Sequence, residues 1–313
     1  MPVKAEVEPL LAMINSVEVP LAEQTPQGLR EGYAALSIAA AREDVASVLD
    51  RTFPGPAGDV PVRVYRPAGS SDGDVLPVLV WFHGGGWVIG DLETADPTAR
   101  SLANAAGVAI VSVDYRLAPE HPFPAGFDDA LAAVRWVASP DVAASLAVDP
   151  SRLAVGGDSA GGNLAAVAAQ QLHDGGPAIR FQLLVYPVTD LRMDSASYED
   201  NAEGFFLTRE TMQWFRMLYV GDDGPRDDPR TSPLAATPSG LAGLPPALVI
   251  TAEFDPLRDE GEAYGSALAA AGVETTTTRY DGMIHGFFSM KEFLPDGATA
   301  MAEAAEALKK HLA

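Results

Sequence analysis

The chain has 313 residues, of which 47% are hydrophobic and 20% charged, a balance typical of a soluble globular enzyme with a large core. It contains no cysteine, which excludes disulfides, thiolate metal sites and a cysteine nucleophile, and which fits a reducing, cytoplasmic location. The formal net charge of −22 disfavours nucleic-acid and anionic-membrane partners and indicates a soluble surface; steering of a cationic substrate is the alternative.

The first 50 residues are predicted to be helical. Apolar residues recur at helical spacing from Val7 to Val17, and an alanine-rich stretch follows from about Leu29 to Ala40. No basic region precedes an apolar run, so a secretory signal is not expected. No stretch reaches the roughly 18 apolar residues that span a bilayer. We expect residues 1–50 to form the N-terminal part of a helical cap.

The next part of the chain predicts a sheet. Residues 60–65 alternate as a half-buried strand, and short apolar runs at residues 78–82, 108–113 and 153–155 predict parallel strands buried on both faces. Later strands are predicted at residues 181–186, 247–251 and 274–280. Helical patterns separate them, at residues 127–137, 163–169, 257–268 and 301–312. This alternation predicts an α/β fold with covering helices, whose ligands bind at the carboxyl ends of the strands.

One segment breaks the alternation. Residues 191–228 show no strand pattern but contain a cluster of aromatic residues, which includes Phe205, Phe206, Trp214 and Phe215. We interpret this segment as a helical insertion that joins residues 1–50 in a cap. The catalytic core then consists of residues 51–190 and 229–313.

Residues 157–161 read Gly-Asp-Ser-Ala-Gly and match the G-x-S-x-G pattern of a nucleophile elbow. The pattern is short, so a glycine-rich turn without chemistry is the alternative. The context supports chemistry, because a predicted strand ends at Val155 and a predicted helix begins at Asn163. Small neighbours permit the sharp turn that projects the serine from the sheet. We therefore predict Ser159 to be a covalent nucleophile.

Three consecutive glycines in His83-Gly-Gly-Gly-Trp87 directly follow the predicted strand 78–82. Such a loop presents backbone N–H groups to a developing oxyanion, together with the amide of the residue after the nucleophile, here Ala160. A merely flexible loop is the alternative. A phosphate-binding loop is excluded, because the chain has no G-x-x-x-x-G-K-[ST] sequence.

A serine nucleophile needs a base, and the chain offers five histidines. His83 belongs to the glycine loop, His121 to a proline-rich loop, His173 to the far end of the helix after the elbow, and His311 to the C-terminus. His285 follows a predicted strand directly, which places it at the carboxyl edge of the sheet. We predict His285 to be the base.

The acid that orients the base falls between nucleophile and histidine in α/β-hydrolases. Asp255 lies in the loop that leaves the predicted strand 247–251, which makes it our candidate, with Glu253 as its rival. Asp259 is expected in the following helix, and Asp281 in a turn with Gly282. Helix capping or solvation is the alternative role for each acid.

With these residues identified, the chain resembles the hormone-sensitive-lipase family of bacterial esterases from about residue 55 onward. The motifs that carry the resemblance are His83-Gly-Gly-Gly-Trp, Asp114-Tyr-Arg-Leu-Ala-Pro-Glu-His-Pro-Phe-Pro-Ala, Gly156-Gly-Asp-Ser-Ala-Gly-Gly-Asn, Asp255-Pro-Leu-Arg-Asp and His285-Gly-Phe. The resemblance implies a carboxylesterase with an eight-stranded sheet, a helical cap and no cofactor or metal, acting on esters of short to medium acyl chains. It implies oxyanion amides at Gly85 and Gly86, leaves Gly84 open, and keeps a homodimer as an alternative to a monomer.

The sequence leaves open the role of five aromatic residues and the exact substrate class. Trp87, Phe205, Phe206, Trp214 and Phe215 either line the substrate pocket or hold the cap to the core. A thioesterase, an amidase, or a sugar or aryl deacetylase would use the same catalytic residues. A non-catalytic ligand receptor is the rival from another class; plant receptors that resemble the family lack the histidine, whereas His285 is present here.

Overall fold

The computed structural model describes residues 2–16, 21–38 and 41–313. The strands are β1 Ser47–Gly55, β2 Gly58–Arg66, β3 Leu76–Phe82, β4 Ala109–Val113, β5 Val148–Asp158, β6 Ile179–Val185, β7 Ala247–Phe254 and β8 Thr275–Ile284. The α-helices are α1 Val7–Ser16, α2 Pro26–Ile38, α3 Leu92–Ala106, α4 Ala125–Ala138, α5 Pro140–Leu146, α6 Ala160–Leu172, α7 Ser197–Asp200, α8 Arg209–Val220, α9 Pro238–Leu241, α10 Arg258–Ala270 and α11 Pro295–Leu312.

The eight strands form one sheet in the order β1-β2-β4-β3-β5-β6-β7-β8. Strand β2 is antiparallel to both of its neighbours, and all pairs from β4 to β8 are parallel. Phe82 at the end of β3 lies opposite Val113 in β4 and Gly157 in β5, so these strands end at the same edge. The predicted α/β-hydrolase fold class, with its mostly parallel eight-stranded sheet, is confirmed.

Helices cover both faces of the sheet, and the alternation of side chains along β3 shows how. Val78, Val80 and Phe82 pack into the core layer that contains α4, α6 and α10. Leu79 and Trp81 pack into the opposite layer, which contains α3 and α11. A strand that is apolar at every position is thus buried on both faces, as its sequence predicts.

Strand β1 was not predicted from the residues, because only Phe53 among its side chains is buried and it pairs with a single neighbour. It begins at Ser47, so the last residues of the predicted segment 1–50 belong to the sheet. The expected turn at Asp281 and Gly282 is wrong: both residues lie inside β8, where Gly282 adopts a left-handed φ of 78° beside a register shift. The predicted helix ends at Val17 and Ala40 lie outside the described residues.

The polypeptide between β6 and β7 contains α7, α8 and α9 and no strand among its residues, all of which are described. The N-terminal helices lie at two different places. Lys4 N–H donates to Gly282 O of β8 (3.1 Å), close to α1, whereas α2 packs against α3. Within the described ranges, no helix has both the length and the apolar character needed to cross a bilayer.

Candidate active site

Ser159 sits in the sharp turn between β5 and α6, with a left-handed φ of 56° and a ψ of −119°. A side chain at Gly157 would collide with the backbone of Gly161, and one at Gly161 would collide with the carbonyls of Phe82 and His83. Only glycine fits at these two positions, because strand and helix approach each other closely there. The turn therefore projects the Ser159 hydroxyl at the carboxyl edge of the sheet.

His285 follows the last residue of β8 and faces Ser159. Its Nε2 lies 3.1 Å from Ser159 Oγ, and its Nδ1 lies 2.7 Å from Asp255 Oδ2. The Asp255 side chain is fully buried, and its second oxygen accepts a hydrogen bond from the Leu257 N–H (2.9 Å). The structure thus brings the three predicted residues into one hydrogen-bonded chain, although they come from three separate loops.

The rival acids are engaged elsewhere. Glu253 accepts a hydrogen bond from the Gly282 N–H (2.7 Å) and so ties β7 to the irregular part of β8. Asp259 lies in α10, as expected, where it pairs with Arg258 (2.7 Å) and accepts from the Ser197 N–H (2.8 Å). Asp255 is the acid that contacts His285 in the described part of the chain.

The His83 side chain packs against Tyr115 and the backbone of the glycine loop. Its ring stacks on that of Tyr115 with centroids 4.4 Å apart, and its Nδ1 lies 2.7 Å from Gly84 O. The Tyr115 hydroxyl in turn donates to His83 O (2.7 Å), so the segment after β4 supports the glycine loop. Burial lowers the pKa of the His83 imidazole, which keeps the ring neutral at physiological pH.

The three glycines of the loop differ in what their amides do. The Gly84 N–H donates to Asp158 Oδ1 (3.0 Å) and is therefore already committed. Among the described residues, the N–H groups of Gly85 and Gly86 have no hydrogen-bond acceptor. Ala160 is the first residue of α6, where a backbone N–H has no partner within the helix. The amides of Gly85, Gly86 and Ala160 thus differ from that of Gly84 in being uncommitted among the described residues.

Asp158 is the neighbour of the nucleophile that the sequence reasoning passed over. Burial raises the pKa of its carboxyl to about 6, and the Gly84 N–H bond works against that rise. The position lies inside the G-x-S-x-G pattern, but the pattern leaves it unspecified. The residue could have been found only by asking which group would hold the glycine loop in place.

The five aromatic residues predicted near the pocket lie in three places. Trp87 is 1% exposed and stacks on Tyr219 of α8 with centroids 4.3 Å apart. The Phe215 ring covers Gly86, and Trp214 contacts Phe215. Phe205 packs on Phe254, and Phe206 lies beside Gly286. Trp87 therefore joins α8 to the glycine loop, whereas Phe206 and Phe215 lie next to the loops that carry His285 and the unpaired amides.

Arg30 of α2 was not singled out by the sequence. Its guanidinium donates to Val88 O (2.8 Å) and Ala118 O (3.0 Å), and it forms a two-point ion pair with Glu120 (2.7 and 2.8 Å). These partners lie in the loops after β3 and β4. No sequence pattern links residues that are 58 to 90 positions apart, so only the fold reveals this contact.

The chain is similar to known hydrolases over most of its length. Residues 79–289 match the model of a family described as α/β hydrolase fold. The carboxylesterase NlhH of Mycobacterium tuberculosis is 48% identical over 81% of this chain and 79% of its own. The crystal structure of a thermostable esterase from Pseudomonas putida superposes with a TM-score of 0.94 at 40% identity, covering 100% of this chain and 98% of that one. An ester-hydrolase from the metagenome of Lake Arreo, complexed with a phosphonate, is 45% identical, with a TM-score of 0.93 and 99% coverage of both chains. The chain therefore belongs to the α/β-hydrolase family, in its hormone-sensitive-lipase-like branch.

Proposed function

We propose that this protein is a serine carboxylesterase that hydrolyses short- to medium-chain carboxylic esters through an acyl-enzyme on Ser159. The observation that carries the proposal is the hydrogen-bonded chain from Ser159 through His285 to Asp255, beside amides that have no acceptor. The similarity to NlhH and to the esterase from Pseudomonas putida supports a hydrolase that acts on carboxylic esters.

In the acylation step, Ser159 Oγ attacks the ester carbonyl while His285 Nε2 takes the hydroxyl proton. Asp255 accepts from Nδ1–H, which fixes the imidazole orientation and stabilises the imidazolium. The carbonyl oxygen becomes an oxyanion, which accepts from the N–H groups of Gly85, Gly86 and Ala160. Backbone donors that the fold holds in place before substrate arrives require no reorganisation when the charge develops.

Collapse of the tetrahedral intermediate breaks the bond to the alcohol oxygen. His285 gives its proton to that oxygen, and the alcohol leaves. Water then attacks the acyl-enzyme with His285 again as base, and a second collapse returns the proton to Ser159 Oγ and releases the carboxylic acid.

Short acyl groups are favoured by the crowding at the site. The side chains of Ser159 and His285 are nearly buried, and the Phe215 ring lies directly over Gly86. A relative from Pseudomonas putida, 39% identical over 81% of this chain, carries the name ethyl acetate hydrolase, which agrees with a small acyl group. We further propose that the part of residues 1–50 that precedes β1, together with residues 191–228, forms the cap that bounds this site, with α2 and α8 as its contacts to the catalytic loops.

The proposal is tested with p-nitrophenyl esters of increasing acyl length. We expect the highest kcat/KM between acetate and hexanoate, and a loss of nearly all activity in Ser159→Ala. Mass spectrometry after treatment with paraoxon should locate a diethylphosphoryl adduct on the Ser159 peptide of the wild type and on no peptide of the variant. A folded Ser159→Ala protein that keeps most of its activity would contradict the proposal.

The acid is tested with a matched pair of variants. Asp255→Asn should lower kcat by about 10²–10⁴-fold, because a misoriented base is costly. Glu253→Gln removes the charge of a neighbouring acid two residues away and keeps an oxygen that can accept from the Gly282 N–H, so its kcat should stay within about threefold of wild type. The reverse ranking of the two variants would move the acid role to Glu253.

A further inference from the structure

The short helix α7 (Ser197–Asp200), in the insertion between β6 and β7, lies against the loop that carries Asp255. Ser197 is buried: its hydroxyl donates to Pro256 O (2.6 Å), and its N–H donates to Asp259 Oδ2 (2.8 Å). The Asp259 N–H lies 3.2 Å from Ser197 Oγ. The contact is therefore made of buried polar groups on both sides, which are costly to leave unpaired.

Asn201 follows α7 and contacts the backbone of Asp255. Its side chain is 3% exposed, and its amide Nδ2 donates to the carbonyl of Asp255 (3.2 Å) and, more weakly, to that of Glu253 (3.5 Å). A primary amide has two hydrogens and can serve both carbonyls at once. The Asn201 amide thus bridges Glu253, near the end of β7, and Asp255, whose carboxylate contacts His285.

These bonds hold the backbone of the loop, whereas His285 contacts the Asp255 side chain. The Asp255 carboxylate is fixed by the Leu257 N–H and by His285, but its backbone follows the strand end directly and enters α10 only at Arg258. Rotation of the Asp255 peptide would carry the carboxylate away from Nδ1. The Asp255 carbonyl accepts two hydrogen bonds that oppose that rotation, one from the Arg258 N–H at the start of α10 (3.1 Å) and one from the Asn201 amide (3.2 Å).

We propose that Asn201 is a positioning residue for catalysis, which holds the backbone of Asp255 so that its carboxylate stays aligned with His285; Ser197 supports the same loop. This proposal rests on the proposed function, in which Asp255 is the acid. It assigns to the helical insertion a second role besides contact with the substrate: the insertion stabilises the catalytic acid.

The first experiment compares Asn201→Ala with Gln213→Ala, an amide-to-alanine change at an exposed position of α8 in the same insertion. Kinetics are measured with p-nitrophenyl butyrate, and active sites are titrated with paraoxon so that unfolded protein does not count. We expect kcat of Asn201→Ala to fall about tenfold with KM within about twofold, and Gln213→Ala to match wild type. A change confined to KM, or no change in titrated kcat, would overturn the proposal. If Asn201→Ala does not fold, Asn201→Ser, which keeps one shorter donor, is measured against the same expectation.

The second experiment is a double-mutant cycle with Asp255→Asn. If Asn201 acts through the Asp255 carboxylate, Asn201→Ala should lower kcat by less than about twofold once Asp255 has been replaced. A full tenfold loss in the Asp255→Asn background would show that Asn201 acts by another route and would refute the inference. Failure of the proposed function is distinct, because there Asp255→Asn alone would leave kcat unchanged.

Discussion

Replacing Asp158 by alanine is expected to lower kcat and leave KM nearly unchanged. The Asp158 carboxylate accepts the Gly84 N–H at 3.0 Å, and Gly84 directly precedes the two glycines whose amides are proposed to bind the oxyanion. Without this acceptor, the peptide between His83 and Gly84 keeps the Tyr115 hydroxyl on its carbonyl (2.7 Å) but loses the bond at its N–H, so it can turn and shift the adjacent Gly85 N–H. The effect falls on the transition state, because the ester in the ground state needs these donors less.

The expected magnitude follows from the bonds that remain. A hydrogen bond to a charged group contributes about 1.5–3 kcal/mol, and loss of one oxyanion donor costs about 10²–10³ in kcat. The Gly85 carbonyl still accepts from the N–H groups of Val88 (3.0 Å) and Ile89 (2.9 Å), so the loop is displaced and not unfolded. We therefore expect the loss in kcat to lie between about tenfold and a hundredfold, below that of a lost donor.

The assay is steady-state hydrolysis of p-nitrophenyl butyrate with titrated active sites. Asp158→Asn is the matched control, because its amide oxygen still accepts the Gly84 N–H while the charge is gone; its kcat should stay within about threefold of wild type. If Asp158→Asn loses as much as Asp158→Ala, the charge and not the hydrogen bond matters. If neither variant loses activity, the loop is held without Asp158.

Three further results are expected. Gly86→Ala should lower kcat about 10²-fold in p-nitrophenyl acetate hydrolysis, because its φ is 58° and the new methyl meets the Phe215 ring; adding Phe215→Ala should restore part of the loss. Arg30→Ala should lower the free energy of unfolding in urea by about 1–2 kcal/mol, because two hydrogen bonds to loop carbonyls are lost. The ion pair with Glu120 adds little, because the Glu120 side chain is largely exposed. An unchanged free energy would contradict this account. Burial raises the pKa of the Glu260 carboxyl well above its usual range. The folded protein therefore keeps a proton that the unfolded chain loses above about pH 4.3, and the free energy of unfolding of the wild type should fall as pH rises. Glu260→Gln should flatten that fall between about pH 5 and pH 8.

The strands that the sequence predicts most clearly are those buried on both faces. Strand β3 is apolar at each of its seven positions and is flanked by two core layers, so its sequence leaves no other interpretation. Strand β1 faces solvent along most of its length and pairs with one neighbour, so its residues carry almost no periodic signal. The clearest strand predictions thus concern central strands, where local sequence and tertiary environment agree, although the edge strand β8 was also predicted.

Some residues of the candidate site were predictable from sequence and others were not. Ser159, Asp255 and His285 were found because each occupies a strand end with a recognisable chemical type, and strand ends meet at one edge. Asn201, Arg30 and Asp158 act by hydrogen bonds to backbone groups. Such bonds require a donor or an acceptor at the right place and no particular motif, and the partners of Asn201 and Arg30 are distant in sequence.

The helices outside the core contact three of the loops at the carboxyl edge of the sheet. Tyr219 of α8 stacks on Trp87 behind the glycine loop, Arg30 of α2 binds the loops after β3 and β4, and Asn201 after α7 binds the Asp255 loop. The proposed cap could not swing away as a rigid body without breaking these contacts. We therefore expect substrate specificity and catalytic rate to be coupled, because a substitution in α7 or α8 would also shift the loops that these helices contact. Changes in these helices should alter kcat as well as KM, whereas a separate lid would alter KM alone.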